Sequence, residues 1–164
     1  MSSLAFTPMT RADFTLFWPD FKAIVEARET YAIDPEIDFE SAYALWCLAP
    51  RATFAVKDQE GTLLGAYYVK ANAQGPGGHV CNCGYMVNAT ARGKGVARAM
   101  CEHSQRIARE LDFKAMQFNA VVATNTVALA LWQRLGFAIV GTVPAAFHHA
   151  RHGLVDIHVM HKAL

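Results

Sequence analysis

The sequence has no apolar run near the roughly 20 residues that a helix needs to cross a bilayer. Its opening, Met1-Ser2-Ser3-Leu4, lacks the basic start and long apolar core of a secretory signal. The expected setting is the cytoplasm. An excess of charge of one sign is also missing. Fifteen Lys and Arg stand against 14 Asp and Glu, a net charge of +1 with a pI near 7.7, and no basic stripe accumulates that could hold a nucleic acid. An anionic ligand should therefore be small. The four cysteines, Cys47, Cys81, Cys83 and Cys101, lack the pair-plus-pair spacing of a zinc site and read as reduced packing residues. The seven histidines include no His-Glu-x-x-His, and His148 and His149, adjacent on an extended segment, point to opposite sides. No metal is expected. Repeats, low-complexity stretches and linkers are absent too, so residues 1–164 read as a single domain, with 53% apolar residues to fill its core.

The pattern of elements is a strand, helices, three antiparallel strands, helix, strand, helix and two strands. Residues 4–8 alternate as a short strand, and Thr10 with Asp13 three places on forms a capping-box signature for a helix from Arg11. Pro19 should interrupt that helix, giving a second segment over residues 20–30 that ends before Tyr31-Ala32-Ile33-Asp34-Pro35. Asp38 caps a further helix carrying Tyr43, Trp46 and Cys47. Strands over 52–57 and 63–71, joined by Asp58-Gln59-Glu60-Gly61, should pair antiparallel. After the Gly-rich loop 74–78, a strand over 79–87 places Val80, Asn82, Gly84 and Met86 on one face, subject to any bulge at Gly84. A strand over 115–121 follows the central helix and should run parallel to 79–87, because strand, helix, strand is a crossover. Asn125 caps a helix with Ala128, Leu131, Trp132 and Leu135 on one face, and Gly136 ends it. Strands over 137–143 and 154–162, linked by a His-rich loop, complete the chain.

The clearest chemical signal is the stretch from Tyr85 to Glu110. Tyr85-Met86-Val87 ends a strand, Ala91-Arg92-Gly93-Lys94-Gly95 is a basic glycine turn, and Val96 opens an amphipathic helix with Met100, Ile107 and Leu111 on its apolar face. A helix start offers unpaired N–H groups and partial positive charge. Glycine lets a phosphate approach that backbone, while Arg92 and Lys94 add formal charge. The predicted ligand is a phosphate or pyrophosphate. A P-loop fits poorly because Gly95, not Ser or Thr, follows Lys94. The dinucleotide pattern fails because Arg98 stands where its third glycine or alanine belongs.

What fits is Arg92-x-x-Gly95-x-Ala97, which resembles the Arg/Gln-x-x-Gly-x-Gly/Ala signature of the GNAT acetyltransferases. Farther on, Asn125-x-x-Ala128-x-x-Leu131-Trp132-x-x-x-Gly136-Phe137 resembles the family's Asn-x-x-Ala-x-x-Leu-Tyr-x-x-x-Gly-Phe, and the likeness spans residues 53–160. The resemblance implies an α/β fold: a mixed, mostly antiparallel sheet of about seven strands flanked by helices, with a parallel, splayed strand pair at the acetyl-CoA site. It implies acetyl-CoA as cosubstrate, with the pyrophosphate on Arg92, Gly93, Lys94, Gly95, Val96 and Ala97. Met86 and Val87 would contact the acyl and pantetheine groups, and Asn125 the pantetheine arm. Trp132 occupies the place of a family tyrosine that can protonate the departing thiolate. An indole has no useful acidity, so Tyr85 is the substitute to test.

The implied chemistry is direct attack of a neutral amine on the thioester. Phe118-Asn119-x-Val121-x-x-Thr124-Asn125, with Asn82 upstream, resembles the branch of fungal azetidine-2-carboxylate and proline-analogue acetyltransferases, which implies a small amino or imino acid as acceptor. Asn82 and Asn119 are then candidates for the polar floor of the acceptor pocket. Tyr31, Phe39, Tyr43 and Trp46 are candidate acceptor contacts or core aromatics, and His79, His148, Asp156 and His158 are candidate bases. The implied partner is a small-molecule amine rather than a nucleic acid or membrane, and the resemblance allows a homodimer. A peptide or protein amine is the rival acceptor, and a non-catalytic CoA-binding sensor is the rival from another class.

Overall fold

The computed structural model describes residues 4–164. Strand β1 (Ala5–Pro8) enters helix α1 (Arg11–Ala27) through Thr10. The Thr10 hydroxyl accepts from the Asp13 N–H at 3.1 Å, and the Asp13 carboxylate accepts from the Thr10 N–H at 3.0 Å, completing the reciprocal cap. Contrary to expectation, Pro19 does not interrupt the helix. One helix replaces the two expected segments. A proline inside a helix costs about 3 kcal/mol. Phe14, Phe17, Phe21 and Val25 lie on both sides of it, fully buried, and each contributes roughly 1.5–3 kcal/mol. The continuous apolar face outweighs the break.

Asp38 caps α2 (Phe39–Tyr43), which runs on into a π-helical turn over Ala44–Leu48. Such wide turns re-aim side chains and recur at functional sites, and Trp46 sits in this one. The sheet then builds through β2 (Ala52–Lys57), β3 (Leu63–Ala71), β4 (Val80–Val87), β5 (Ala115–Val122), β6 (Ala138–His149) and β7 (Gly153–Ala163), in the order β1-β2-β3-β4-β5-β7-β6. Every neighbouring pair is antiparallel except β4 with β5. Helix α3 (Val96–Glu110) makes the crossover between those two, and α4 (Thr126–Arg134) follows β5. This is the mixed seven-stranded architecture expected, with one difference in detail. The β3–β4 register, left open to a bulge at Gly84, runs without one. The expected His-rich loop shrinks to a turn over 150–152: β6 continues to His149, where His148 pairs with Leu154 and His149 with Gly153.

Two apolar layers cover the sheet. On one face Phe14, Phe17, Phe21, Trp46, Ala66 and Met86 pack beneath α1 and α2. On the other, Tyr67, Cys81, Cys83, Met100, Cys101, Met116, Phe118 and Trp132 pack beneath α3 and α4. Period-two alternation along β4 divides its residues between them. All four cysteines are free thiols, three of them buried.

Candidate active site

The site begins where the parallel pair comes apart. Strands β4 and β5 are joined at Val80↔Ala115 and Cys81↔Met116, and then diverge. Hydrogen bonding on the other side of β4 fixes which groups face the gap. The Asn88 N–H donates to the Leu64 carbonyl and the Asn72 N–H to the Val80 carbonyl, so the even-numbered residues of β4 turn their backbone polar groups to β3. Those of Cys83, Tyr85 and Val87 point into the fork. Met86, expected to offer a backbone contact, is paired with Ala66 on β3. Its side chain remains on the cavity wall.

A cavity of about 1140 Å³ fills the fork. At the C-terminal end of β4 lies the glycine turn. Asn88 shapes it, accepting from the Ala91 N–H at 2.9 Å and donating to the Leu63 carbonyl at 2.8 Å. Gly93 and Gly95 have φ of +74° and +80°, in the left-handed region open to glycine. Gly95 precedes α3, and no side chain caps that helix, so its first N–H groups stay available for an anion. Arg92, Gly93, Gly95, Val96, Ala97 and Arg98 line the cavity here, with Asn125, Ala128 and Trp132 across from them. Lys94, grouped with these residues from the sequence, is exposed and stands off the cavity wall. The Asn125 side chain caps α4, accepting from the Ala128 N–H at 3.3 Å, and also borders the cavity.

The other end lies along β4 by five residues, about 17 Å of strand. Tyr31, Trp46, Tyr68, Lys70 and Asn82 line it. Asn82 is 7% exposed. Its Nδ2 donates to the Gln117 carbonyl of β5 at 3.0 Å, and its Oδ1 accepts from the Tyr68 hydroxyl at 3.2 Å. Asn82 thus ties the two strands together one residue past their last backbone pair. Tyr68 owes its place to Gly84, where a Cβ would lie 2.6 Å from the Tyr68 ring. Burial pushes the Tyr68 hydroxyl up to about 12. The Trp46 ring packs edge-on to Tyr68 at 4.8 Å, and its buried indole N–H has no partner among the described residues. Asn119 is exposed rather than interior, beside the β5 irregularity between Phe118 and Val121, and donates to Asn72 Oδ1 at 2.7 Å.

One contact joins the N-terminal segment to the fork. The Tyr31 hydroxyl accepts from the Tyr85 N–H at 2.8 Å and donates to the Tyr85 carbonyl at 2.6 Å. A single oxygen therefore stands in for the strand partner that Tyr85 has lost. The Tyr85 side chain goes the other way. Its hydroxyl sits 2.8 Å from Ser104 Oγ and donates to Met116 Sδ, and burial holds its pKa far above the ordinary tyrosine value. Tyr85 borders the cavity beside Phe118 and Trp132, and the hydroxyl expected to serve as thiolate acid is engaged with Ser104 and Met116 on the α3 side of the sheet. Burial likewise holds the Cys83 thiol well above its usual range, so it offers no thiolate nucleophile.

Of the expected acceptor aromatics, Tyr31 and Trp46 line the cavity, whereas Phe39 and Tyr43 stack on each other and pack tilted against Phe14 in the helical layer. His79, His148, Asp156 and His158 are all absent from its wall. His158 bonds to Thr142 at 2.8 Å, and Asp156 accepts from the Ala145 N–H at 2.9 Å. No cluster of three metal-ligating side chains occurs among the described residues. Sequence reasoning missed Tyr68 and Lys70. A lysine between Val69 and Ala71 on an interior strand was the same kind of signal as the asparagines.

A seven-stranded sheet with a fork between its two parallel strands, and an uncapped helix start at the fork's mouth, defines a fold whose cleft is open to an anion-bearing ligand. Comparison with known proteins identifies it. The acetyltransferase (GNAT) family model matches residues 14–137, and the chain belongs to that family. It is an acyltransferase, with acetyl-CoA as its cosubstrate. N-acetyltransferase aca1 of Schizosaccharomyces pombe is 32% identical over 151 residues, covering 82% of this chain and 72% of that one. A GCN5-related N-acetyltransferase from Kribbella flavida is 48% identical, with a TM-score of 0.93 over 98% of each chain. A phosphinothricin acetyltransferase from Sinorhizobium meliloti, solved in complex with AcCoA, shares the fold at 21% identity, with a TM-score of 0.84 over 100% of this chain and 89% of that one. No helix among the described residues is long and apolar enough to cross a membrane.

Proposed function

We propose that residues 1–164 act as one acetyltransferase domain that moves the acetyl group of acetyl-CoA to the amine of a small amino or imino acid. The observation that carries the choice of acceptor is the inner end of the cavity. Its aromatic walls, Tyr31, Trp46 and Tyr68, surround the polar side chains Asn82 and Lys70. That suits a compact, charged molecule better than a peptide segment. The likeness to the fungal proline-analogue branch supports the same reading, and four free thiols suit a reducing, cytoplasmic setting.

The CoA pyrophosphate is assigned to Arg92, Gly93, Gly95, Val96 and Ala97, with Lys94 adding field rather than contact. Asn125 and Val87 take the pantetheine arm, and Trp132 packs beside it. The neutral amine attacks the thioester carbonyl. A C–N bond forms, the C–S bond breaks, the thiolate departs, and the amine's surplus proton passes to solvent. Backbone N–H groups of Tyr85 and Val87 polarise the carbonyl and hold the developing oxyanion. A thiol pKa near about 8.5 makes thiolate a competent leaving group without a dedicated acid. Asn82 and Asn119 are assigned to acceptor contacts, the first inside the cavity and the second at its rim. The test is thiol release from acetyl-CoA across a panel of amino acids, imino acids, polyamines and peptides. The reading expects small amino or imino acids to give the highest kcat/KM. A peptide as best acceptor overturns the substrate class, and acetyl-CoA binding without release for any amine would favour a sensor.

A further inference from the structure

Four cations stand on the cavity wall: Lys70, Arg92, Arg98 and Arg134. They divide unequally. The three arginines come from the glycine turn, α3 and α4, around the helix start that takes the cosubstrate's phosphates. Lys70 is apart from them on β3, directly opposite Asn82 in the β3–β4 ladder. Its ammonium lies 5.1 Å from the centre of the Tyr68 ring. No carboxylate lies within ion-pair distance of it among the described residues, where five other pairs form. A half-buried ammonium held over an aromatic ring is only partly compensated. Beside it, Asn82 has one amide proton on the Gln117 carbonyl and a second to give. An ammonium and an adjacent N–H together match the two oxygens of a carboxylate.

We infer that Lys70 anchors the carboxylate of the acceptor, with Asn82 beside it. The inference deepens the proposed function and rests on it. The same charge sets the orientation. An entering amino acid keeps its ammonium away from Lys70, so the amine lies toward Tyr85 and Val87, where the strands have parted. Lys70 is thus a specificity residue that selects acids among small amines, and it takes no part in bond making.

The experiment compares wild type, Lys70→Met and Lys70→Arg with three acceptors sharing one ring: azetidine-2-carboxylate, its amide, and azetidine. For the acid, Lys70→Met is expected to lower kcat/KM at least about tenfold, mainly through KM, and Lys70→Arg to recover part of the loss. For the amide and azetidine, Lys70→Met should match wild type within about twofold, as should the KM for acetyl-CoA. An equal loss on acid and amide, or no loss on the acid, overturns the inference while leaving the proposed function intact. If wild type acetylates azetidine and other plain amines but no acid, the proposed function fails first and the inference goes with it.

Discussion

At the turn end of the cleft the groups assigned to the cosubstrate are chiefly main chain, N–H groups opening α3, strand N–H groups of β4 and two glycines at positive φ, with the Arg92, Arg98 and Arg134 side chains around them. At the inner end they are side chains from segments far apart in sequence: Tyr31, Trp46, Tyr68, Lys70, Asn82. A main-chain site is indifferent to most substitutions outside its glycines, because the groups it presents are the same whatever the side chain. A side-chain site changes with each residue and can be refitted to a new acceptor. The two ends should therefore respond differently to mutation.

The largest expected effect is at the turn. Gly95→Glu forces a side chain into a left-handed backbone and sets a carboxylate where the pyrophosphate belongs, so calorimetry should detect no acetyl-CoA binding. Unchanged affinity would remove the turn from the site. Next comes Asn82→Ala, which strips partners from the Tyr68 hydroxyl and the Gln117 carbonyl at a cost of about 1–3 kcal/mol each. Tm should fall, and kcat/KM for the acceptor should drop at least about tenfold with acetyl-CoA affinity nearly unchanged. A lower Tm with intact acceptor kinetics would reduce Asn82 to a strand tie and blur the contrast between the ends.

Smaller effects sharpen the contrast. Lys94→Ala removes an exposed charge beside a site made of backbone, so Kd for acetyl-CoA should rise by about fivefold, near 1 kcal/mol. A hundredfold rise would make the turn end a side-chain site after all. The smallest effect lies outside both ends. His103 stacks on Phe6 at 4.1 Å and bonds to the Tyr67 hydroxyl. Burial, then Arg106, lowers its pKa below the ordinary 6.5. Below pH 6.5 the unfolded chain therefore binds the proton more readily, so stability falls on acidification through that window. His103→Gln should flatten the fall in Tm below about pH 6.5 without altering kcat. A change in kcat would connect α3 to the chemistry.

The same contrast explains what could be read in advance. Thr10 with Asp13, Asn125 and Gly136 announce helix ends because their chemistry is local. The turn at Arg92 to Ala97 is legible for the same reason, its geometry being written within six consecutive residues. Pro19 misled because local helix chemistry yields to burial of the phenylalanines around it, which only the folded layer reveals. The strand following Val143 was hidden by Pro144 and by histidines that a long edge strand tolerates. Lys70 carried a signal as a charge on an interior strand, but its place opposite Asn82 came only with the β3–β4 register, and that of Tyr68 with the room a missing Cβ at Gly84 leaves for its ring. Asn119 was legible as an unusual strand amide, but the irregularity that turns it to the rim was not.

The hydroxyl of Tyr31 bears on when binding energy is released. While it holds both polar groups of Tyr85, the fork has no orphaned amide there to draw in water. A thioester oxygen that takes this amide must displace a neutral oxygen with a neutral oxygen, an exchange close to balance. The acyl group then adds little to ground-state affinity, and CoA and acetyl-CoA should be held almost equally. Once the carbonyl becomes an oxyanion, it is a much stronger acceptor than a phenol. On the proposed assignment of the Tyr85 N–H to the oxyanion, the advantage of the exchange is deferred to the transition state, where it accelerates the reaction instead of deepening the resting complex.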